Sequence, residues 1–176
     1  NACATSVRFV LSANTNLPLV ALGIATFKCS RNINFNAGSS LTTVNGNLTL
    51  EANQQATPTT GTFSGIYLAD NSLVEVTGAG TLDVKGKGGT TSNAQIGVYV
   101  YNAAILRGGT SGNNFVSGTG GATTSNDNRG IQVQLNGIIT TNGGNLFIYA
   151  QGGGTNASAH NHGIHLVQSG VISAGG

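Results

Sequence analysis

Every histidine of the chain falls in one short stretch, His160-Asn161-His162-Gly163-Ile164-His165. His160 and His162 stand two apart, so an extended segment puts both imidazoles on one side, and His165 faces outward if a strand follows. Zinc or copper binding is the chemistry such a cluster would offer. No cysteine or carboxylate is close in sequence to complete a ligand shell, and the corresponding places earlier in the chain hold Asn128-Arg129 and Gln95-Ile96. A freely varying polar loop is therefore the expected reading, with no metal and no cofactor. Acid–base chemistry on a sugar needs two or more carboxylates close together, and a basic residue beside them if the sugar is acidic. Only Glu51, Asp70, Glu75, Asp83 and Asp127 are available. Tyr67, Tyr99 and Tyr101 are the side chains placed to form a binding face.

What positions these residues is a phrase that returns at a nearly fixed interval. Gly65-Ile66-Tyr67-Leu68, Gly97-Val98-Tyr99-Val100, Gly130-Ile131-Gln132-Val133 and Gly163-Ile164-His165-Leu166 carry apolar anchors at 66, 98, 131 and 164. Ile33-Asn34-Phe35 stands one such interval before the first of them. A regular step of about 33 residues announces a solenoid. A second set of apolar starts follows at Leu41, Leu73, Ile105, Ile138 and Val171, and a third at Leu48, Leu82, Phe115 and Leu146. The first and third segments alternate with period 2: Ile66 and Leu68 face in while Tyr67 faces out, and Leu146 and Ile148 oppose Phe147 and Tyr149. With 28 glycines and no capped helical pattern, the class is all-β.

Three strands per coil of about 33 residues, with no helix to cross back, make each strand pair with its own equivalent one coil later. That is a single-stranded parallel β-helix. A sandwich of hairpins would not keep like residues at a constant separation. The register predicts inward ladders of Ile33, Ile66, Val98, Ile131 and Ile164, and of Phe35, Leu68, Val100, Val133 and Leu166. On the outside it predicts Tyr67 above Tyr99, flanked by Asn34 and Gln132, a face that a glycan or protein ligand would use. A second outward column, Thr43, Glu75, Arg107, Thr140 and Ser173, sets Glu75 beside Arg107, and Glu51 falls beside Lys85 in another. Such pairs are each worth ~0.2–1 kcal/mol and give the acids a structural use. The loops at 54–62, 86–93, 119–128 and 152–162 are rich in Gly, Thr, Ser, Asn and Ala and are expected to form a solvated edge.

Residues 1–32 do not fit the period. They hold Cys3 and Cys29, an apolar run, and Arg8, Lys28 and Arg31. A solenoid must cover its apolar cross-section, so this segment is expected to be a capping unit stapled by a Cys3–Cys29 disulfide, with β-helix repeats over 33–176. At the other end Gly176 follows the second strand of a coil. Its open strand edges carry neither Pro nor a carboxylate, and are expected to meet further repeats or a neighbouring subunit.

Charged residues are only 7% of the chain and its net charge is +2, too little for a basic nucleic-acid stripe. The most apolar stretch, 17–27, is interrupted by Pro18 and Gly23 and is too short to span a membrane. From Gly130 to Gly154 the sequence reads G-I-x-L-x-x-x-G-x-I-x-T-x-G-G-x-L-x-I-x-A-x-G-G-G, with Val133 in the first Leu place. This pattern resembles the strand repeats of very large bacterial exported proteins, the filamentous-haemagglutinin-like and autotransporter-passenger-like adhesins. The resemblance covers about residues 33–176 and implies a right-handed parallel β-helix, an extracellular or cell-surface location, and adhesive or scaffold duty without catalytic residues. A self-assembling extracellular fibre subunit is the alternative expectation, and a β-helix carbohydrate-active enzyme a further one.

Overall fold

The computed structural model describes residues 8–19 and 23–175. Alternating apolar and polar residues bounded by turn formers give short strands, three to a coil. The first coil holds β1 (Phe9–Leu11), β2 (Asn16–Leu19) and β3 (Ile24–Cys29). The second holds β4 (Ile33–Phe35), β5 (Ser40–Thr43) and β6 (Asn47–Ala52), and the third β7 (Ile66–Leu68), β8 (Leu73–Val76) and β9 (Leu82–Lys87). Then come β10 (Val98–Tyr101), β11 (Ile105–Gly108) and β12 (Asn113–Thr119), and β13 (Ile131–Gln134), β14 (Ile138–Thr141) and β15 (Asn145–Gln151). The last described strands are β16 (Ile164–Val167) and β17 (Val171–Ile172). No helix occurs among the described residues.

Each strand pairs in parallel with its equivalent one coil away, building three sheets: β1-β4-β7-β10-β13-β16, β2-β5-β8-β11-β14-β17 and β3-β6-β9-β12-β15. This is a parallel β-solenoid. The inward ladders lie as the anchors predict, with Ile33, Ile66, Val98 and Ile131 in successive strands and fully buried. Phe35, Leu68, Val100 and Val133 form the second buried column.

The glycine that opens each phrase has a steric reason. A Cβ on Gly97 would collide with the backbone nitrogen of Thr119 at the end of β12, because the chain leaving the third sheet passes against the chain entering the first.

Three sequence expectations need correction. Phe115 does not continue the column of Leu82 and Leu146: it lies opposite Asp83 and Phe147, and Asn114 takes the inward place. Asn114 is fully buried because its amide is bonded at both ends, Oδ1 accepting from the N–H groups of Leu82 (2.9 Å) and Gly109 (3.0 Å), and Nδ2 donating to the Asn145 carbonyl (3.2 Å). A one-residue slip in a strand turns every side chain over, and hydropathy alone chose the wrong residue. Thr43 likewise leaves the outward column, since Thr42 is the residue opposite Glu75. Thr43 points inward, with its hydroxyl on the Gly46 carbonyl at 3.1 Å. For the same reason Ser40, not Leu41, is the counterpart of Leu73, and the buried column of the second sheet is Leu41, Val74, Leu106 and Ile139.

The amino-terminal segment is atypical in length and regular in fold. Phe9 lies opposite Ile33, Leu17 opposite Leu41 and Phe27 opposite Leu50, so the chain from β1 to β3 lays down a coil of the same three sheets. Phe9 and Ile33 are closer in sequence than Ile33 and Ile66, the next pair in the column. The shortening sits between the third strand and the next coil, where β3 ends at Cys29 and β4 begins at Ile33. Cys29 is buried in a column of small residues that continues as Ala52, Gly86, Gly118 and Ala150, while Cys3, its expected disulfide partner, lies outside the described residues.

Candidate functional site

The outward column of the first sheet runs Asn34, Tyr67, Tyr99, Gln132 and His165, each directly opposite the next. Parallel pairing brings the rings of Tyr67 and Tyr99 to a centroid distance of 5.2 Å at 32°, within the range of offset aromatic pairs. Tyr101, further along β10 on the same face, leans on Tyr99 at 5.5 Å. The Tyr99 hydroxyl donates to Gln134 Oε1 at 2.9 Å, and Gln134 in turn accepts from Gln132 at 2.6 Å and donates to Gln168 at 2.7 Å. This amide row fixes the aromatic edge. Burial, then the neighbouring Tyr67 and Tyr101, pushes the Tyr99 phenol up to about 12 against the opposing pull of Arg129. Burial first, then Asp70, raises Tyr67 as well. Both phenols are held neutral, and the hydroxyl proton of Tyr99 is already hydrogen-bonded to Gln134.

Tyr67 and Tyr99 form one wall of a concavity of about 410 Å³. Arg8, just before β1, and Arg31, just before β4, line it together with Asn32 and Asn34. Arg31 is aimed by three contacts: its guanidinium lies 4.7 Å over the Phe63 ring, Nη1 donates to Asn32 Oδ1 at 3.0 Å, and Nη2 to the Thr62 carbonyl at 3.4 Å. Asn32 Nδ2 continues the relay to Asn34 Oδ1 at 2.7 Å. No carboxylate lines this concavity, and neither arginine has an ion-pair partner among the described residues.

The tyrosine column was legible from the repeat. The arginines were not: they sit in the segment that breaks the period, and only the folded first coil brings them beside Tyr67. Asn32 immediately before Ile33 was the available signal, since the equivalent places later in the chain hold glycine.

The carboxylates are drawn elsewhere. Glu75 meets Arg107 at 3.0 Å as the register predicts, and Glu51 has Lys28 at 2.8 Å besides the expected Lys85 at 3.8 Å. Lys85 is closer to Asp83, at 2.8 Å, a bond that raises its pKa, and Asp127 pairs with Arg129. Asp70 alone has no ion-pair partner among the described residues.

The histidines lie near one another without converging. His162 and His165 are stacked at 5.3 Å with their planes 12° apart, and His160 is 6.4 Å from His162. Among the described residues no group of three His, Cys, Asp or Glu side chains is arranged to hold a metal ion. His165 has Nδ1 buried without a partner, and burial, then Arg129 and His162, lowers its pKa although Asp127 opposes them.

The loop edge carries a ladder that composition did not reveal. Gln95 Oε1 accepts the N–H of Phe63 at 2.8 Å, Asn128 Oδ1 that of Gln95 at 3.2 Å, and Asn161 Oδ1 that of Asn128 at 2.9 Å. Gln95 and Asn128 are buried, so the loops are built elements of the coil.

A parallel β-solenoid with an arginine- and tyrosine-lined concavity on one outward sheet face is the class these features define. No family model, no curated protein and no solved structure matches this chain.

Proposed function

We propose that the chain is a non-catalytic adhesive repeat module of a secreted or cell-surface protein, and that the outward face of its first sheet binds a glycan. The observation that carries this reading is the stacked Tyr67–Tyr99 pair on the wall of the concavity, beside the Asn32 and Asn34 amides. The two rings pack on each other and turn their edges to the concavity, where aromatic C–H and side-chain amide groups suit the mixed apolar and hydroxyl surface of a sugar. Four of the five carboxylates are spent in ion pairs and none lines the concavity, which favours binding over hydrolysis or elimination. Glycan-array binding by the wild type that is lost in the Tyr67→Ala, Tyr99→Ala double variant is the expected result. Array binding left unchanged by that double variant removes this face from consideration.

A second reading is a fibre subunit that stacks end to end. It is favoured by the uniform register of the coils, in which every strand pairs in parallel with its equivalent one coil away. A second copy offering a coil of the same cross-section would continue that pairing.

A further inference from the structure

The arginines give the concavity a sign. Arg8 and Arg31 both line it, no Asp or Glu does, and no carboxylate among the described residues pairs with either guanidinium, although ion pairs of 2.6–3.8 Å match four acids to four cations elsewhere. Lys87 is likewise unpaired among the described residues, and Asp70 is felt at Tyr67 and Tyr99 without lining the concavity. A protein with so few charges that leaves two cations facing one cavity leaves there an unmet demand for negative charge. Arg31 is also held in place before any ligand arrives: Phe63 supports one face of its guanidinium, and Asn32 and Thr62 take single bonds from Nη1 and Nη2. The planar fork of a guanidinium matches a carboxylate better than it matches a hydroxyl group. The tyrosine ring edges beside it suit the mixed surface of a sugar, and a volume of about 410 Å³ falls in the ~300–1,000 Å³ range of small-ligand sites.

We infer that this site takes a carboxylated sugar, a uronic-acid unit of an acidic oligosaccharide, with its ring against the Tyr67 and Tyr99 wall and its carboxylate on Arg31 and Arg8. The inference rests on the glycan-binding reading and adds the ligand's charge to it.

Calorimetric titration with digalacturonate, and in parallel with its neutral methyl diester, separates the two ideas. The acid is expected to bind at least about tenfold more tightly than the ester, the scale of one charge-assisted hydrogen bond. Arg31→Gln is expected to erase that preference while leaving ester binding in place. Arg8→Gln, at an exposed position, is expected to weaken the acid alone, and it serves as the second test should Arg31→Gln perturb the coil, which thermal melting reports. Equal binding of acid and ester, abolished by the Tyr67→Ala, Tyr99→Ala variant, overturns the acidic preference and leaves glycan binding standing. Binding of neither compound overturns the inference. Acid binding that is unchanged in both arginine variants overturns it too.

Discussion

Tyr99 and His165 share one outward column, and the same burial acts on them in opposite ways, favouring the protonated phenol and disfavouring the protonated imidazole. For His165 this fixes a pH dependence. Its folded pKa lies below the unfolded value of ~6.5, so on acidification the unfolded chain takes up the proton first. The stability it contributes is therefore complete above about pH 6.5 and is lost as pH falls through the lowered folded value. Melting temperature is expected to decline on acidification across that window in the wild type, and less steeply in His165→Gln. Parallel profiles for the two proteins would show that His165 is not responsible. Burial is the largest cause, and Arg129 and His162 act in the same direction against the weaker pull of Asp127.

At the scale of elements, the side-chain amide ladder along the loop edge does for the connections what the apolar ladders do for the strands. Asn128 is fully buried, and its Oδ1 is the acceptor for the Gln95 N–H. Asn128→Ala leaves that donor buried without a partner, so it is expected to cost about 1–3 kcal/mol in chemical denaturation. Asn93 makes the same kind of bond to the Asn126 N–H at an exposed position, and Asn93→Ala is expected to stay within about 0.5 kcal/mol. Equal losses at the two sites would mean that the ladder acts through loop order and not through desolvation. A separate aromatic row runs down the third sheet, where Phe115 stacks on Phe147 at 5.2 Å and Tyr149 stands 58% exposed. It exists because Asn114, not Phe115, was drawn inward.

At the scale of the whole molecule, a solenoid gains its stability from contacts between neighbouring coils, so the coil at either end is the least supported. Among the described residues no strand lies beyond β15, β16 and β17. If that surface docks on a second copy, sedimentation is expected to show mass rising with protein concentration. Leu166→Lys, which sets a charge in the exposed cross-section, is expected to hold the protein as a monomer. A wild type that stays monomeric throughout the concentration range, with Leu166→Lys indistinguishable from it, ends the fibre reading.

The one-dimensional sequence determined the class of this protein because a solenoid writes its geometry as a period. A nearly constant step between like anchors, with alternation inside each strand, is enough to place Ile66 on Val98 and Tyr67 on Tyr99. Backbone pairing between equivalent strands depends on spacing and little else, so it can be read without coordinates. Tertiary structure decided what the period does not encode. Phe115 and Asn114 exchanged faces because hydrogen-bond demand at a buried turn outweighed hydropathy. The first coil kept the three sheets although its shorter step hides it from any search at the common interval. Arg8 and Arg31, far from Tyr67 along the chain, became its neighbours only when that coil stacked. A site built from residues that share no interval is a property of the folded surface, and charge left unmatched across such a separation becomes visible only there.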